Sequence, residues 1–392
     1  MTLLQDPDTL RATATDGPQL LWSLPPGSSE WGDQDGCVLV CRQVQTITSD
    51  VKTFLFEPDQ PALFHHEPGQ FVTLHLTIDG DPVDRCYTIS TPPTRPRLLG
   101  ITVKRQPGGL VSNWLHDSVR PGTRIAADGP FGVFTMTPHP TPTYLFLSGG
   151  SGITPLMSMT RTLYDLGADA DVLFVHSART PADIIFRREL EAIAATAPST
   201  RVVHVCERDA PQEPWGGLRG YLNVPMLRLL APDLLEREVF CCGPAPYLAA
   251  VRQMLGEIGY DMRHYHEETF SFDDLAPREC ALAEFTDPTT DSIIEEELGA
   301  EPTATTTYSI EFARSGQTFT CAGDEFVLDA AYDAGLNPPS SCTQGMCGTC
   351  KSTMLSGTVD MQHQGGIRPR EIAQNKILIC CSKPLSDLSI DA

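Results

Sequence analysis

At 392 residues, with 41% apolar residues and Gly and Pro spread along its length, the chain has room for two or three domains, each with its own core. A formal net charge of −22 argues against nucleic-acid binding, which needs a Lys- and Arg-rich surface. No apolar run approaches transmembrane length.

The opening MTLLQDPDTLRATATDG has no basic segment followed by an apolar run, so no signal peptide is expected and the cytoplasm is the expected compartment. Thirteen cysteines in a reducing compartment stay as free thiols or bind metal. Residues 1–36, polar and rich in Pro and Gly, read as an extension outside any core. Over 37–138, the runs CVLVCRQVQTI, TFLFEP, GQFVTLHLTI, LGITVKRQ and TRIAADGPFG are rich in β-branched and aromatic residues and separated by turns. That spacing predicts an antiparallel β-barrel or sandwich.

The pattern changes at TPTYLFLSGG, where an apolar strand runs into glycines and a helix with Leu156, Met159, Leu163 and Leu166 on one face. Strand DVLFVHS, helix ADIIFRRELEAIA, strand RVVHVCE, helix VPMLRLLA, strand EVFCCGP and helix YLAAVRQMLGEIG follow. Strands alternating with helices predict a parallel, doubly wound α/β domain over 139–272. Residues 273–305 read as an acidic linker, with ten acidic residues and one basic between Asp273 and Glu301. It is either a solvated spacer or an aid in steering toward a basic partner. The last domain, 306–392, opens with a hairpin, YSIEFARSGQTFTCA, with Ser315-Gly316 in its turn. A helix, FVLDAAYDAGL, closes on Gly335.

The loop SSCTQGMCGTC then places Cys342, Cys347 and Cys350 at C-x4-C-x2-C spacing, with Cys380 thirty positions further on in the apolar strand KILIC. This is the plant-type arrangement for a [2Fe–2S] cluster: a loop supplies three thiolates, a strand the fourth, and loop N–H groups can donate to the sulfurs. A structural zinc site would bring its ligands in close C-x2-C pairs, and only one is present. Cys381 beside Cys380 is the competing fourth ligand, and Cys321 in the hairpin reads as a packed thiol. The segment from about 308 to 390 resembles plant-type ferredoxins, which implies a β-grasp α+β fold.

Upstream, Arg85-Cys86-Tyr87-Thr88-Ile89-Ser90 resembles the R-x-Y-[ST] flavin motif of the ferredoxin–NADP reductase superfamily. The resemblance implies that Arg85 neutralises flavin phosphate, Tyr87 packs on the ring system, and Thr88 and Ser90 bond nearby. Val103 and Lys104 would belong to the next flavin strand, and Gly109, Val111 and Ser112 to the turn that cradles the pyrophosphate, which favours FAD over FMN. Gly129-Pro130-Phe131-Gly132 matches the superfamily's G-P-x-G turn. Gly149, Gly150, Gly152, Thr154 and Pro155 fit its G-G-x-G-x-x-P nicotinamide form rather than G-x-G-x-x-G. Cys242, Gly243 and Pro244 match C-G-P near the nicotinamide, where the thiol is expected to be positional rather than nucleophilic. Glu268 and Phe270 fall where an acid and an aromatic lie close to the flavin. Ser177 and Arg179 follow the second strand, where an Arg could hold the 2′-phosphate of NADPH; NADH is favoured.

The module order, flavin barrel then nicotinamide domain then ferredoxin, resembles reductase components of Rieske-type oxygenases over residues 37–390. The tail MQHQGGIRPREIAQNKILICCSKPLSDLSIDA is most similar to reductase subunits of glycine betaine monooxygenase and related N-demethylating systems. This implies an NAD(P)H-dependent electron-transfer enzyme with a terminal oxygenase as partner. Thr88, Cys242 and Glu268 would lie at its reacting centre. Reductases of hybrid-cluster protein share many of these motifs, and a redox sensor or binding protein is the alternative from another class.

Overall fold

The computed structural model describes residues 29–32, 37–269, 306–336, 338, 340, 343, 345, 348–363 and 365–392. The chain divides into two compact units, Met1–Ser271 and Phe272–Ala392. Most of the expected extension, all of the expected linker, and Phe270, Cys342 and Cys347 lie outside the described residues.

In the first unit, β1 (Val38–Thr46), β2 (Val51–Pro58), β3 (Phe71–Ile78), β4 (Asp81–Thr88), β5 (Leu99–Lys104) and β6 (Arg124–Phe131) pair antiparallel in the order β4-β3-β6-β1-β2-β5. An Ile89–Ile101 bridge and the Ser90 N–H to Gly100 carbonyl bond, 2.8 Å, join the two outer strands and close the barrel. Alternation sends Phe54, Phe56, Leu74 and Ile101 inward, and α1 (Leu110–Ser118) adds Val111 and Leu115 to the same core. Strand β4 is absent from the apolar runs read above. Its sequence DPVDRCYT grades from exposed Asp81 to buried Thr88, so pairing with β3 rather than alternation makes it a strand. The extension is also not wholly outside the core. Trp31 is buried against Phe64, ring centroids 5.3 Å apart, and Glu30 bridges Leu63.

The remainder of this unit is a parallel sheet ordered β10-β9-β8-β7-β11-β12. Its strands are β7 (Thr143–Gly149), β8 (Asp171–Ala178), β9 (Thr200–Cys206), β10 (Leu218–Arg219), β11 (Glu238–Gly243) and β12 (Tyr265–Thr269). Helices α2 (Ile153–Asp165), α3 (Arg187–Thr196), α4 (Val224–Leu230) and α5 (Ala245–Ile258) cover it. Both faces are buried: Phe146, Phe174 and Phe240 enter one core, and Leu145, Leu147 and Val239 the other. The helix expected over ADIIFRRELEAIA is shorter, starting only at Arg187. Ile184 packs in one cluster while Ile185 and Phe186 pack in another, and Phe186 takes a left-handed φ of 58°. Burial of three successive apolar side chains in different places overrides helix propensity there.

The second unit holds β13 (Thr307–Phe312), β14 (Gln317–Ala322), α6 (Val327–Asp333), β15 (Lys351–Ser356), β16 (Val359–Met361), α7 (Pro369–Ala373), β17 (Lys376–Leu378), β18 (Ser382–Pro384) and β19 (Leu388–Asp391). Five of its strands form a mixed sheet, β14-β13-β19-β15-β17, with β13 and β19 parallel. Helix α6 buries Val327, Leu328, Ala330 and Ala331 in the core with Ile310, Phe312 and Ile390. The apolar segment KILIC is a strand only to Leu378. Ile379–Cys381 turns as a 3-10 helix, so Cys380 sits just beyond the strand.

Candidate functional site

Strand β4 carries the flavin-motif residues. Arg85 is half-buried and donates to the carbonyl of Asp84 at 2.7 Å, and it pairs with no carboxylate among the described residues. Burial pushes the Tyr87 phenol well up, and Tyr87 packs against the barrel core. Thr88 is buried and its Oγ1 has no partner among the described residues. Such an orphaned hydroxyl costs about 1–3 kcal/mol unless a ligand satisfies it. Ser90 differs. Its Oγ bonds the Gly100 carbonyl (3.1 Å) and Thr102 Oγ1 (2.9 Å), so its side chain serves barrel closure. Val103 is buried and its carbonyl bonds His116 Nε2 at 2.9 Å.

Gly109 caps α1 without a side-chain bond, and the first turn holds no acid. A Cβ at Gly109 would fall 2.7 Å from Ser112 Oγ, which itself accepts the Gln106 N–H at 3.1 Å. The turn is thus a tight backbone cradle with unopposed N–H groups on the first helical turn, the local chemistry that suits phosphate.

The β7–α2 turn shows why it needs several glycines. A Cβ at Gly152 would lie 2.3 Å from the Cys242 carbonyl oxygen, so this glycine allows close packing on β11. Gly150 has φ +54° and open space beyond its Cβ position, leaving its backbone accessible. Gly149 and Gly243 both approach the Tyr247 ring. Thr154 Oγ1 donates to the Ser151 carbonyl at 3.2 Å, and Pro155, in the first turn of α2, forfeits an N–H that has no helical partner. Pro244 caps α5. Tyr247 is the residue that sequence reasoning missed; its phenol is buried beside Ser177, and burial pushes it well up. An aromatic three positions after C-G-P, on the first turn of a helix, was its available signal.

Parallel pairing sets Cys242 beside Glu268. Cys242 is fully buried, and burial and the neighbouring carboxyl push its thiol far up, which supports a positional role. Burial raises the Glu268 carboxyl to about 8, and its Oε2 is shielded without a partner among the described residues. Arg179 is exposed and lies 3.8 Å from both Asp50 and Asp183. Asp50 also faces Lys104 at 3.5 Å, so the barrel's Lys104 and the second strand's Arg179 meet across one carboxylate. Arg161 of α2 donates to the Ser90 carbonyl and grips Glu189 at 2.7 and 2.6 Å, joining the barrel to the parallel sheet.

In the second unit Cys350 and Cys380 are buried, and the Gly345 N–H donates to Cys380 Sγ at 3.2 Å. A Cβ at Gly345, φ +71°, would strike Cys381 Sγ at 2.7 Å, and one at Gly348, φ +76°, would strike the Gly366 carbonyl at 2.9 Å. These two positive-φ glycines let the loop turn closely over the thiols, a donor set that fits a thiolate-held iron–sulfur cluster. Cys381 Sγ is turned to the Leu378 carbonyl, 3.6 Å away. Cys321 is buried in the hairpin and burial pushes its thiol to about 12, that of an inert packed thiol.

Three domain families match in this order: an oxidoreductase FAD-binding domain at 39–136, an oxidoreductase NAD-binding domain at 146–253, and a 2Fe-2S iron–sulfur cluster binding domain at 310–385. The glycine betaine monooxygenase reductase subunit of Chromohalobacter salexigens is 49% identical over 352 residues, 90% of this chain and 94% of that one. The stachydrine N-demethylase reductase subunit of Rhizobium meliloti is 44% identical, over 93% of this chain and 98% of that one. The ferredoxin reductase component of 3-ketosteroid-9-alpha-monooxygenase from Mycolicibacterium smegmatis is 32% identical, over 89% and 94%. Phthalate dioxygenase reductase, at 22% identity and TM-score 0.52, shares the fold over 91% of this chain and 97% of its own.

Proposed function

The chain belongs to the family of NAD(P)H-dependent reductase subunits that carry FAD-binding, NAD-binding and 2Fe-2S domains and serve oxygenases, and on that premise we propose that its oxygenase demethylates a quaternary N-methyl betaine, with glycine betaine the first candidate. The observation that carries this is likeness along 90% of the chain to a reductase subunit named for glycine betaine monooxygenase, with stachydrine N-demethylase reductase close behind. When bound, the nicotinamide supplies electrons in pairs, the flavin accepts pairs and releases them singly, and the cluster carries one at a time.

The residues divide the work of holding these groups. Arg85, Lys104 and the α1 turn at Gly109, Val111 and Ser112 offer positive charge and N–H groups to a flavin phosphate, while Tyr87 and Thr88 face its ring. Gly149, Gly150 and the start of α2, with Thr154, hold the dinucleotide, and Gly243, Pro244 and Ser177 bound it. Cys242 and Glu268 give an uncharged floor: both stay protonated at neutral pH, so neither places a charge against the reacting ring. Arg179 already lies between two carboxylates, which favours NADH over NADPH. Cys342, Cys347, Cys350 and Cys380 ligate the cluster. The expected domain bounds and a cytoplasmic location go with this reading; none of the described helices is long and apolar enough to cross a membrane.

Reconstitution with a glycine betaine oxygenase component tests it. NADH-dependent formaldehyde release from glycine betaine is expected. Failure there, together with reduction of hybrid-cluster protein, would overturn the assignment in favour of that acceptor. Flavin released by acid should run as FAD on chromatography, and FMN would sink that part.

A further inference from the structure

At the end of the parallel sheet remote from the nicotinamide motifs, His139, Glu238 and His266 converge. Glu238 opens β11, four residues before Cys242, which puts the cluster about 13 Å away along the strand. His139 lies on the connection from the barrel to β7, and His266 on β12, the outermost strand. His266 Nε2 is 2.6 Å and His139 Nδ1 3.8 Å from Glu238 Oε1, and one ligand atom from each residue lies within 4.8 Å of the others. The two imidazoles stack at 3.9 Å between centroids against Phe240, which is fully buried and forms an apolar back wall. His264 Nδ1 bonds the other carboxylate oxygen, Oε2, at 2.8 Å and so orients it.

The charge balance is the telling feature. The Glu238 side chain is only 12% exposed, and among the described ion pairs its partners are these three histidines, with no Lys or Arg. A carboxylate so placed has no permanently charged side chain opposite it among the described ion pairs, which favours a cation held between it and the imidazoles. Two imidazole nitrogens and a carboxylate oxygen are a donor set for zinc-class ions rather than for magnesium or calcium, which take oxygen. In a tetrahedral zinc site ligand atoms lie about 3.4 Å apart, and the two separations measured here fall on either side of that.

We propose that His139, Glu238 and His266 bind one divalent zinc-class ion, with His264 orienting Glu238 and the fourth position open to water. The ion ties the connection leaving the barrel to β11 and to β12. Its role is to hold these three segments in place, apart from the redox chemistry.

The test uses the full chain, free of any affinity tag, carrying its flavin and cluster and washed with EDTA. Calorimetric titration with zinc chloride is expected to show one equivalent, at least 100-fold weaker in His139→Ala and in Glu238→Gln, with flavin and cluster absorbance unchanged. His139 is more than a third exposed on its side chain, so His139→Ala decides if Glu238→Gln fails to retain flavin. Zinc-edge absorption should show a nitrogen and oxygen shell at about 2.0 Å. The proposal is overturned by no bound equivalent, by an equivalent that survives in His139→Ala, by a sulfur shell at about 2.3 Å, or by displacement with excess magnesium chloride.

Discussion

Two glycines two positions apart, Gly150 and Gly152, separate packing from binding. The Gly152 Cβ position collides with backbone on β11, and backbone cannot swing aside, so Gly152→Ala should cost about 1–3 kcal/mol of stability and lower the melting midpoint by several degrees. Gly150→Ala meets no atom and bears only the strain of its positive φ, about 1 kcal/mol; it should instead raise the KM for NADH. Equal melting midpoints for the two variants would contradict this division. Glu268 makes a pH prediction. Burial holds its folded carboxyl at about 8, above its ordinary value of 4.5. Between those values the unfolded chain is ionised while the folded chain keeps its proton. This group's contribution to stability therefore falls as pH rises from about 4.5 to about 8, then stays flat. Glu268→Gln cannot ionise, so its stability should gain on the parent's with rising pH, by about 1–2 kcal/mol at pH 9 once screening of this partly exposed residue is allowed for. A constant gap from pH 5 to pH 9 would show that the carboxyl is not held neutral.

Among the elements, the start of β11 rests on one buried cation. Arg237, fully buried, bonds Asp233 at 2.9 and 2.8 Å, Asp171 at 3.2 and 3.0 Å and the Tyr144 carbonyl at 2.9 Å, tying together the entries of three parallel strands. Arg237→Met should cost about 3 kcal/mol, and Arg237→Lys nearly as much because an ammonium cannot span both carboxylates. Thermal unfolding measures both, and a loss below 1 kcal/mol for Arg237→Met would refute the role. Arg237 also marks the limit of what could be read in advance. Periodicity and glycine spacing disclosed β7, α2, β11 and α5, because each buries an apolar face and punctuates its ends. They missed β4 and β12, whose polar sequences become strands only through their neighbours, and extended α3 by several residues through Ile184–Phe186. Motif glycines were legible as a group, but their separate duties were not: whether a Cβ at Gly150 or Gly152 meets space or backbone depends on β11, about 90 residues away in the sequence. The same applies to Ser90, which its motif assigned to flavin and whose hydroxyl closes the barrel, and to Trp31, whose polar surroundings in the sequence hid a core contact with Phe64.

For the whole molecule, division into two compact units bears on how the electron path can be cut. The FAD- and NAD-binding matches lie within Met1–Ser271, and the 2Fe-2S match within Phe272–Ala392. Each unit has its own hydrophobic core: barrel and parallel-sheet clusters in the first, and a separate cluster containing Cys350 and Cys380 in the second. Losing the cluster should therefore leave the flavin unit folded. Cys380→Ser removes the thiol that accepts the Gly345 N–H and should bleach the cluster's visible absorption. Ferricyanide takes electrons directly from flavin, so NADH–ferricyanide activity should remain within about twofold of the parent, a change of under ~0.5 kcal/mol in barrier. Electron delivery to the oxygenase should fall at least 100-fold, since the one-electron carrier at the exit is gone. Cys381→Ser separates the two adjacent cysteines: with Cys381 turned to the Leu378 carbonyl, this variant should keep its cluster. Bleaching in Cys381→Ser but not in Cys380→Ser would reverse the ligand assignment, and joint loss of ferricyanide activity and cluster in Cys380→Ser would show that the two units do not stand independently.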